Sequence, residues 1–317
     1  MEDSILSIAN GVWPTMITPY LDDGSIDFNT VERMVDWYVE KKCDGVFAVC
    51  QSSEMFFLSL EERVQLGKTV KKAVDGRVQV IVSGHISADE RQQYAEIEAM
   101  GYIGADAVVL VSNRFAEVNE NDLIWIERAS KLVEYFPEIT FGIYECPYPY
   151  KRVLTPQLIE WCARGGRFSF LKDTCCHAGL IRNKLLTIQK VSTKEGTEPL
   201  KLFNANTMTL LESIRDGASG FSGVMANFHP ELYRWLYDNY QTEPQKAEQL
   251  QALLTLLSSL EEQGYPICAK QHMYETGIPM LLHSRSMHAA EFGYAQRETL
   301  RQSILVEQLA RELCHIF

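Results

Sequence analysis

An apolar run, Phe168-Ser169-Phe170-Leu171, ends abruptly in Lys172, and an acid and a hydroxyl follow at Asp173 and Thr174. Aromatic and aliphatic residues bounded by the Gly165-Gly166 turn predict a short, buried strand. An ammonium group at the end of such a strand is costly to desolvate, so the pKa of Lys172 is expected to fall. A neutral amine in a dry pocket is a nucleophile, and its usual chemistry is a Schiff base with a carbonyl compound. The alternative for a single strand-end lysine is that it leaves the strand and reaches water. The remainder of the chain decides between the two.

Between Gly11 and Gly223 the sequence repeats a β-branched or aromatic run, a turn and an amphipathic helix. The expected strands are Val12–Ile17, Gly45–Val49, Val78–Val82, Ala107–Val111, Thr140–Tyr144, Phe168–Leu171, Leu202–Asn204 and Gly220–Val224. Asp27, Ser59 and Thr155 stand where helix N-caps belong, with Glu61 and Glu62 in one first turn and Pro156 at another first position. Eight near-continuous apolar strands alternating with helices mean a parallel sheet covered by helices, and eight is the count that closes a barrel. An open doubly wound sheet is the competitor. No Gly-x-Gly-x-x-Gly follows the first strand and no phosphate-loop lysine motif occurs, so the reading is an α/β fold, a (β/α)8 TIM barrel. The expected division is a barrel over 1–229 and a C-terminal helical extension over 230–317, packed on the barrel or a neighbouring subunit, with helices near 231–240, 243–262, 266–276 and 294–316.

The 317 residues are 46% hydrophobic and 23% charged, as in ordinary globular proteins. Thirty basic against 42 acidic residues give −12, with no Lys/Arg-rich block. That speaks against nucleic acid and anionic membrane as partners. Met1-Glu2-Asp3-Ser4 carries acids where a signal peptide needs basic residues, so a cytoplasmic protein is expected. Eight scattered cysteines read as reduced thiols. Cys175-Cys176-His177 lacks the separated-pair spacing of a zinc site, and no metal site is expected.

In a barrel the site lies at the C-terminal strand ends. Those ends carry Thr18-Pro19, Cys50-Gln51-Ser52-Ser53-Glu54, Tyr144-Glu145-Cys146-Pro147, Lys172-Asp173-Thr174 and Gly223. One amine, one phenol and a run of hydroxyls thus converge on one mouth. A Schiff-base enzyme needs a neutral amine, a proton shuttle and donors for a carboxylate.

With these residues the chain resembles the dihydrodipicolinate synthase / N-acetylneuraminate lyase superfamily of class I aldolases, over almost its whole length. The resemblance rests on Gly11-Val12-Trp13-Pro14-Thr15-Met16-Ile17-Thr18-Pro19-Tyr20, Gln51–Glu54, Leu58-Ser59-Leu60-Glu61-Glu62-Arg63, Tyr144-x-x-Pro147, Lys172-Asp173-Thr174 and Gly217-Ala218-Ser219-Gly220 with Ala226-Asn227. It implies a (β/α)8 barrel, commonly a homotetramer, acting on pyruvate or a related 2-keto acid. It also implies that Lys172 is the Schiff-base lysine and Tyr144 the proton-transfer phenol. Ser52 and Ser53 fall where the keto acid's carboxylate is held, and Gly223 where backbone approaches substrate. No metal or organic cofactor is implied, because the protonated imine is itself the electron sink.

The departures are specific. Members usually show Gly-Thr/Ser-Thr-Gly-Glu after strand two; here Cys50-Gln51-Ser52-Ser53-Glu54 puts Gln51 in the relay hydroxyl's place, an amide that hydrogen-bonds without passing a proton. Dihydrodipicolinate synthases carry a tyrosine pair after strand four, where this chain has Ser112-Asn113-Arg114-Phe115, and an arginine where it has Pro149; Arg114 or Arg152 is the candidate substitute cation. Glu145-Cys146 is expected to alter the polarity of the pocket. These changes point away from the lysine-biosynthesis reaction. The expectation is a carbon–carbon lyase forming a Lys172 imine with a 2-keto acid, with an aldehyde as partner. The alternatives are a Schiff-base sugar-acid dehydratase and a keto-acid-binding barrel without turnover. Bland roles are open for Glu54 as a loop tie, Asp173 as an ion-pair partner whose side chain points away from Lys172, and His85, His177 and His229 as core or surface residues.

Overall fold

The eight apolar runs become eight parallel strands: β1 Gly11–Val12, β2 Gly45–Ala48, β3 Gln79–Val82, β4 Ala107–Val111, β5 Phe141–Tyr144, β6 Phe168–Asp173, β7 Lys201–Asn204 and β8 Gly220–Phe221. They come from a computed structural model that describes residues 7–316; the Met1–Ser4 start lies outside the described residues. The sheet runs β1-β8-β7-β6-β5-β4-β3-β2. A parallel bridge between Thr15 and Phe47 closes the ring, with the Phe47 amide donating to the Pro14 carbonyl at 2.9 Å and the Met16 amide to the Phe47 carbonyl at 3.0 Å.

Two strands are shorter than expected. β1 stops at Val12 because Pro14 has no amide hydrogen to continue a ladder, and pairing resumes only as the single bridge at Thr15. β8 stops at Phe221 because the chain turns at Gly223 into a 3-10 turn, Val224–Asn227. The β1–β8 seam is held close by glycine: Gly220 has φ +152°, and a Cβ there would lie 1.8 Å from the Gly11 carbonyl oxygen.

The helices begin where their caps stand. Asp27 accepts from the Thr30 amide to start α1, Phe28–Glu40. Ser59 and Glu62 form a reciprocal capping box on α2, Leu60–Val74. Asp89 caps α3, Glu90–Gly101, and Asn121 caps α4, Asp122–Tyr135. Thr155 caps α5, Pro156–Ala163, with proline at its first position. His177 caps α6, Ala178–Glu195, through Nδ1. Next are α7, Leu210–Arg215, and α8, Pro230–Asn239, which packs beside β1. Three further helices follow, α9 Pro244–Leu257, α10 Ile267–Glu275 and α11 Tyr294–Leu313. Among the described residues no helix is long and apolar enough to cross a membrane.

Inside the barrel an aromatic floor fills the space beneath the mouth. Phe170 and Phe203 stack with ring centres 4.4 Å apart, and Trp13 and Phe47 meet Phe170 edge-on at 5.6 and 6.1 Å. Rings of this size exclude water and lower the local dielectric.

Candidate active site

Strand alternation sends Phe170 and Lys172 inward from β6 and Asp173 outward. Tyr144, the last residue of β5, is the register partner of Lys172. The Lys172 Nζ atom lies 4.6 Å from the centre of the Tyr144 ring and 5.6 Å from that of Phe47. Only 3% of Lys172 is exposed, and burial over the aromatic floor brings its pKa down to about 8. The lysine therefore stays in the barrel mouth instead of reaching for water. Tyr144 is 4% exposed, and burial holds its phenol well above the ordinary tyrosine range.

The segment after β2 closes over this pair. Its 3-10 turn, Gln51–Ser53, directs the Gln51 Oε1 atom at Tyr144, whose hydroxyl donates to it at 3.1 Å. The buried Cys146 thiol donates to the same oxygen at 3.5 Å. Ser52 lines the cavity and donates to Thr15 Oγ1 at 3.2 Å. Ser53 is placed differently from the expectation: its hydroxyl donates to the Met16 carbonyl at 2.7 Å and accepts the Cys50 amide at 3.1 Å. It thereby fastens the turn from behind and is absent from the cavity wall.

Glu54 is a tie, and its partners lie in the C-terminal segment. Held in the left-handed region at φ 60°, it accepts from Lys270 Nζ at 3.2 Å, Ser284 Oγ at 2.8 Å and the Arg285 and Ser286 amides at 2.6 and 2.8 Å. Burial lowers the pKa of Lys270 to about 8, against the pull of Glu54.

The outward face of the same strands carries a second charge set. Lys184 of α6 donates to both Glu145 and Asp173, all three buried. Glu145 also accepts the Leu154 amide at 2.7 Å and the Thr174 amide at 3.0 Å. Burial and the neighbouring Asp173 raise the Glu145 pKa, and Lys184 opposes them. Glu145 therefore lies behind the wall and does not set the polarity of the pocket, contrary to expectation. Asp173 points away from Lys172 as strand alternation requires and pairs with Lys184 instead.

The mouth opens into a cavity of about 480 Å³. Gly223 lines it, and a Cβ there would come 2.5 Å from the Ala205 carbonyl oxygen, so the backbone approach demands glycine. Neither candidate cation reaches the cavity. Arg152 bonds Asp122 at 3.0 Å and the Glu117 and Glu120 carbonyls. The Arg114 guanidinium sits 5.4 Å from the Phe56 ring centre and is not in the wall. Lys151 lines the cavity in their place.

Sequence reading missed what the C-terminal segment contributes. Glu261, Tyr265, Pro266 and Ser286 all line the cavity, together with Phe56, Phe57 and Tyr148. Asn227 secures the arrangement, donating to the Thr15 carbonyl at 2.9 Å and to the Tyr265 hydroxyl at 3.1 Å. The available signal was Gly264-Tyr265-Pro266, a break inside an otherwise helical stretch.

The histidines have structural duties. His85 is buried with a pKa lowered by burial to about 4, so its neutral Nδ1 accepts the Val111 amide at 3.0 Å. His229 Nδ1 lies 3.2 Å from Glu307, far along the chain in α11. Of the thiols, Cys176 lines the cavity, whereas Cys146 is sealed and Cys175 lies outside the wall.

A sequence profile described as the Dihydrodipicolinate synthetase family matches residues 9–290. A 4-hydroxy-tetrahydrodipicolinate synthase of Staphylococcus haemolyticus is 23% identical over 278 residues, 86% of this chain and 90% of the relative. Among solved structures, a monomeric dihydrodipicolinate synthase variant superposes with a TM-score of 0.86 at 17% identity, covering 97% of this chain and 99% of the other. YagE, a prophage protein of the dihydrodipicolinic acid synthase family from E. coli K12 solved with pyruvate, gives 0.82 at 19% identity over 95% and 98%. The structural likenesses speak to the barrel; the profile speaks to the family.

Proposed function

The chain belongs to the dihydrodipicolinate synthetase family, a family of lyases, and from that premise we propose that it is a class I aldolase making or breaking a carbon–carbon bond through a Lys172 imine. Its keto substrate is pyruvate or a related 2-keto acid. The observation that carries this reading is the buried Lys172 amine, its pKa lowered to about 8, beside the Tyr144 phenol.

Neutral Lys172 attacks the ketone to give a carbinolamine. Tyr144 protonates the departing hydroxyl, so water leaves and an iminium–phenolate pair remains. The phenolate removes a proton from the substrate methyl, giving an enamine and restoring the phenol. As the enamine carbon adds to an aldehyde, the phenol gives that proton to the new alkoxide; cleavage is the reverse. Ser52 and the backbone near Gly223 are the proposed anchors for the keto acid. With Arg114 and Arg152 both turned from the cavity, we place the aldehyde outside the lysine-biosynthesis reaction.

The Gln51 amide against Tyr144 favours one second reading, a barrel that forms the imine without turnover. Incubation with a panel of 4-hydroxy-2-keto acids, with released pyruvate measured by reduction with lactate dehydrogenase, separates the two. Release of pyruvate supports the lyase. An imine with no released pyruvate, and no condensation with any aldehyde, supports the binding barrel, whereas loss of water from a sugar acid without pyruvate marks a dehydratase. The homotetramer implied by family resemblance belongs to the same proposal, and sedimentation velocity tests it.

A further inference from the structure

Among the described residues the Tyr144 hydroxyl donates to a single acceptor, the Gln51 Oε1 atom at 3.1 Å. That oxygen takes hydrogen bonds but carries no proton to hand on. The other donor to it is the Cys146 thiol at 3.5 Å, fully buried and with its pKa pushed up to about 11 by that burial. At neutral pH the thiol stays protonated and its hydrogen is directed at Gln51. Gln51, the acceptor of the phenol, therefore orients it without relaying a proton.

We propose that Gln51, by taking the hydrogen bond of the Tyr144 hydroxyl with an atom that carries no proton, denies the phenol a relay at that position, so that it shuttles one proton between atoms of the bound substrate. Gln51 is thus a positioning residue that enforces internal proton return. The inference rests on the Schiff-base reading above. The proton balance closes on the substrate: the phenolate left by loss of water takes up one proton, and the hydrogen it lifts from the methyl carbon is the one it gives back. It goes either to that carbon, restoring the iminium, or to the aldehyde oxygen as the new bond forms. No further acid, base or reductant enters.

The test is replacement of pyruvate methyl hydrogen by deuterium in D2O without an aldehyde, followed by proton NMR, with the borohydride-trapped Lys172 adduct measured in parallel. Wild type is expected to form the adduct while losing methyl hydrogen at a rate about tenfold or more below that of imine formation. Gln51→Thr, which removes the amide and introduces a hydroxyl at this position, is expected to raise washout by about tenfold at similar adduct yield. Gln51→Glu keeps the shape, adds a group that takes and releases a proton, and is expected to do the same. Washout in wild type that keeps pace with imine formation overturns the proposal, as does an unchanged rate in whichever Gln51 variants form the adduct. Adduct with fast washout leaves the Schiff-base reading intact, whereas absence of any wild-type adduct removes that reading and this inference together.

Discussion

Tyr144 and Lys172 are register partners on adjacent parallel strands, β5 and β6, and the pairing sets the lysine nitrogen 4.6 Å from the centre of the tyrosine ring. Their spacing along the chain is thus the length of one helical excursion between two strand ends. Everything else at the mouth, from the Gln51 turn to the C-terminal segment, is arranged around that pair.

The lowered pKa of Lys172 gives a pH signature. With a value of about 8, about one-tenth of the amine is neutral at pH 7, against about three in ten thousand for an ordinary lysine. The rate of imine formation is expected to climb between pH 6 and pH 8 and to level above about pH 9. A buried amine with a depressed pKa binds fewer protons folded than unfolded, so its contribution to stability improves as pH rises through the folded pKa toward the unfolded one. Lys172→Met removes the desolvation cost and is expected to raise the melting temperature at pH 7 while abolishing the adduct. A lower melting temperature would show the lysine to be a stabilising element.

Tyr144→Phe keeps the ring over Lys172 and removes the proton carrier. Imine formation is expected to slow by about 10²–10⁴-fold, with little change in fold, since the lost bond to Gln51 is worth about 1 kcal/mol. Stopped-flow trapping measures the rate, and an unchanged rate would contradict the role.

Behind the wall, Lys184 neutralises two buried carboxylates, Glu145 and Asp173. Lys184→Met is expected to cost about 3–5 kcal/mol, the range for breaking a buried ion pair. Without Lys184 opposing the effect of burial, Glu145 then binds a proton more readily folded than unfolded. The loss should shrink as pH falls from 8 to 5, the opposite of ordinary acid denaturation. Urea unfolding at several pH values checks both size and sign; a pH-independent loss would contradict the assignment.

The Glu54–Lys270 pair ties the β2 turn to the C-terminal segment. Glu54→Gln is expected to cost about 1–3 kcal/mol and to speed hydrogen exchange at residues 284–286. Without its partner Lys270 titrates lower still, so the penalty should ease as pH rises from 6 toward 10. Unchanged exchange at 284–286 would show the tie to be idle.

Much of this molecule is readable because local patterns and the fold agree. Asp27, Ser59 and Thr155 cap helices as their types require, and the apolar runs before Tyr144 and Lys172 become adjacent strands. What was not readable depends on long-range closure. Gly264-Tyr265-Pro266 marks a break beside Glu261 but does not tell that Glu261 and Tyr265 fold back onto strand ends more than eighty residues earlier. Ser52 and Ser53 are identical in type and adjacent, yet one faces the cavity and the other fastens the turn, because the turn's dihedrals and not its composition aim each hydroxyl. Glu145 looked like a pocket residue until strand alternation set it beside Lys184. Pro14 shortened β1 through its missing hydrogen, a signal present in the sequence that outweighs the apolar run around it.

The central claim is that Lys172 is the nucleophile, and its most direct test is borohydride trapping with pyruvate, located by peptide mass spectrometry in wild type and Lys172→Met. The predicted result is one pyruvate-derived adduct on the peptide carrying Lys172, absent from the variant. No adduct with pyruvate or with a panel of 2-keto acids, or an adduct on another lysine, would contradict the account.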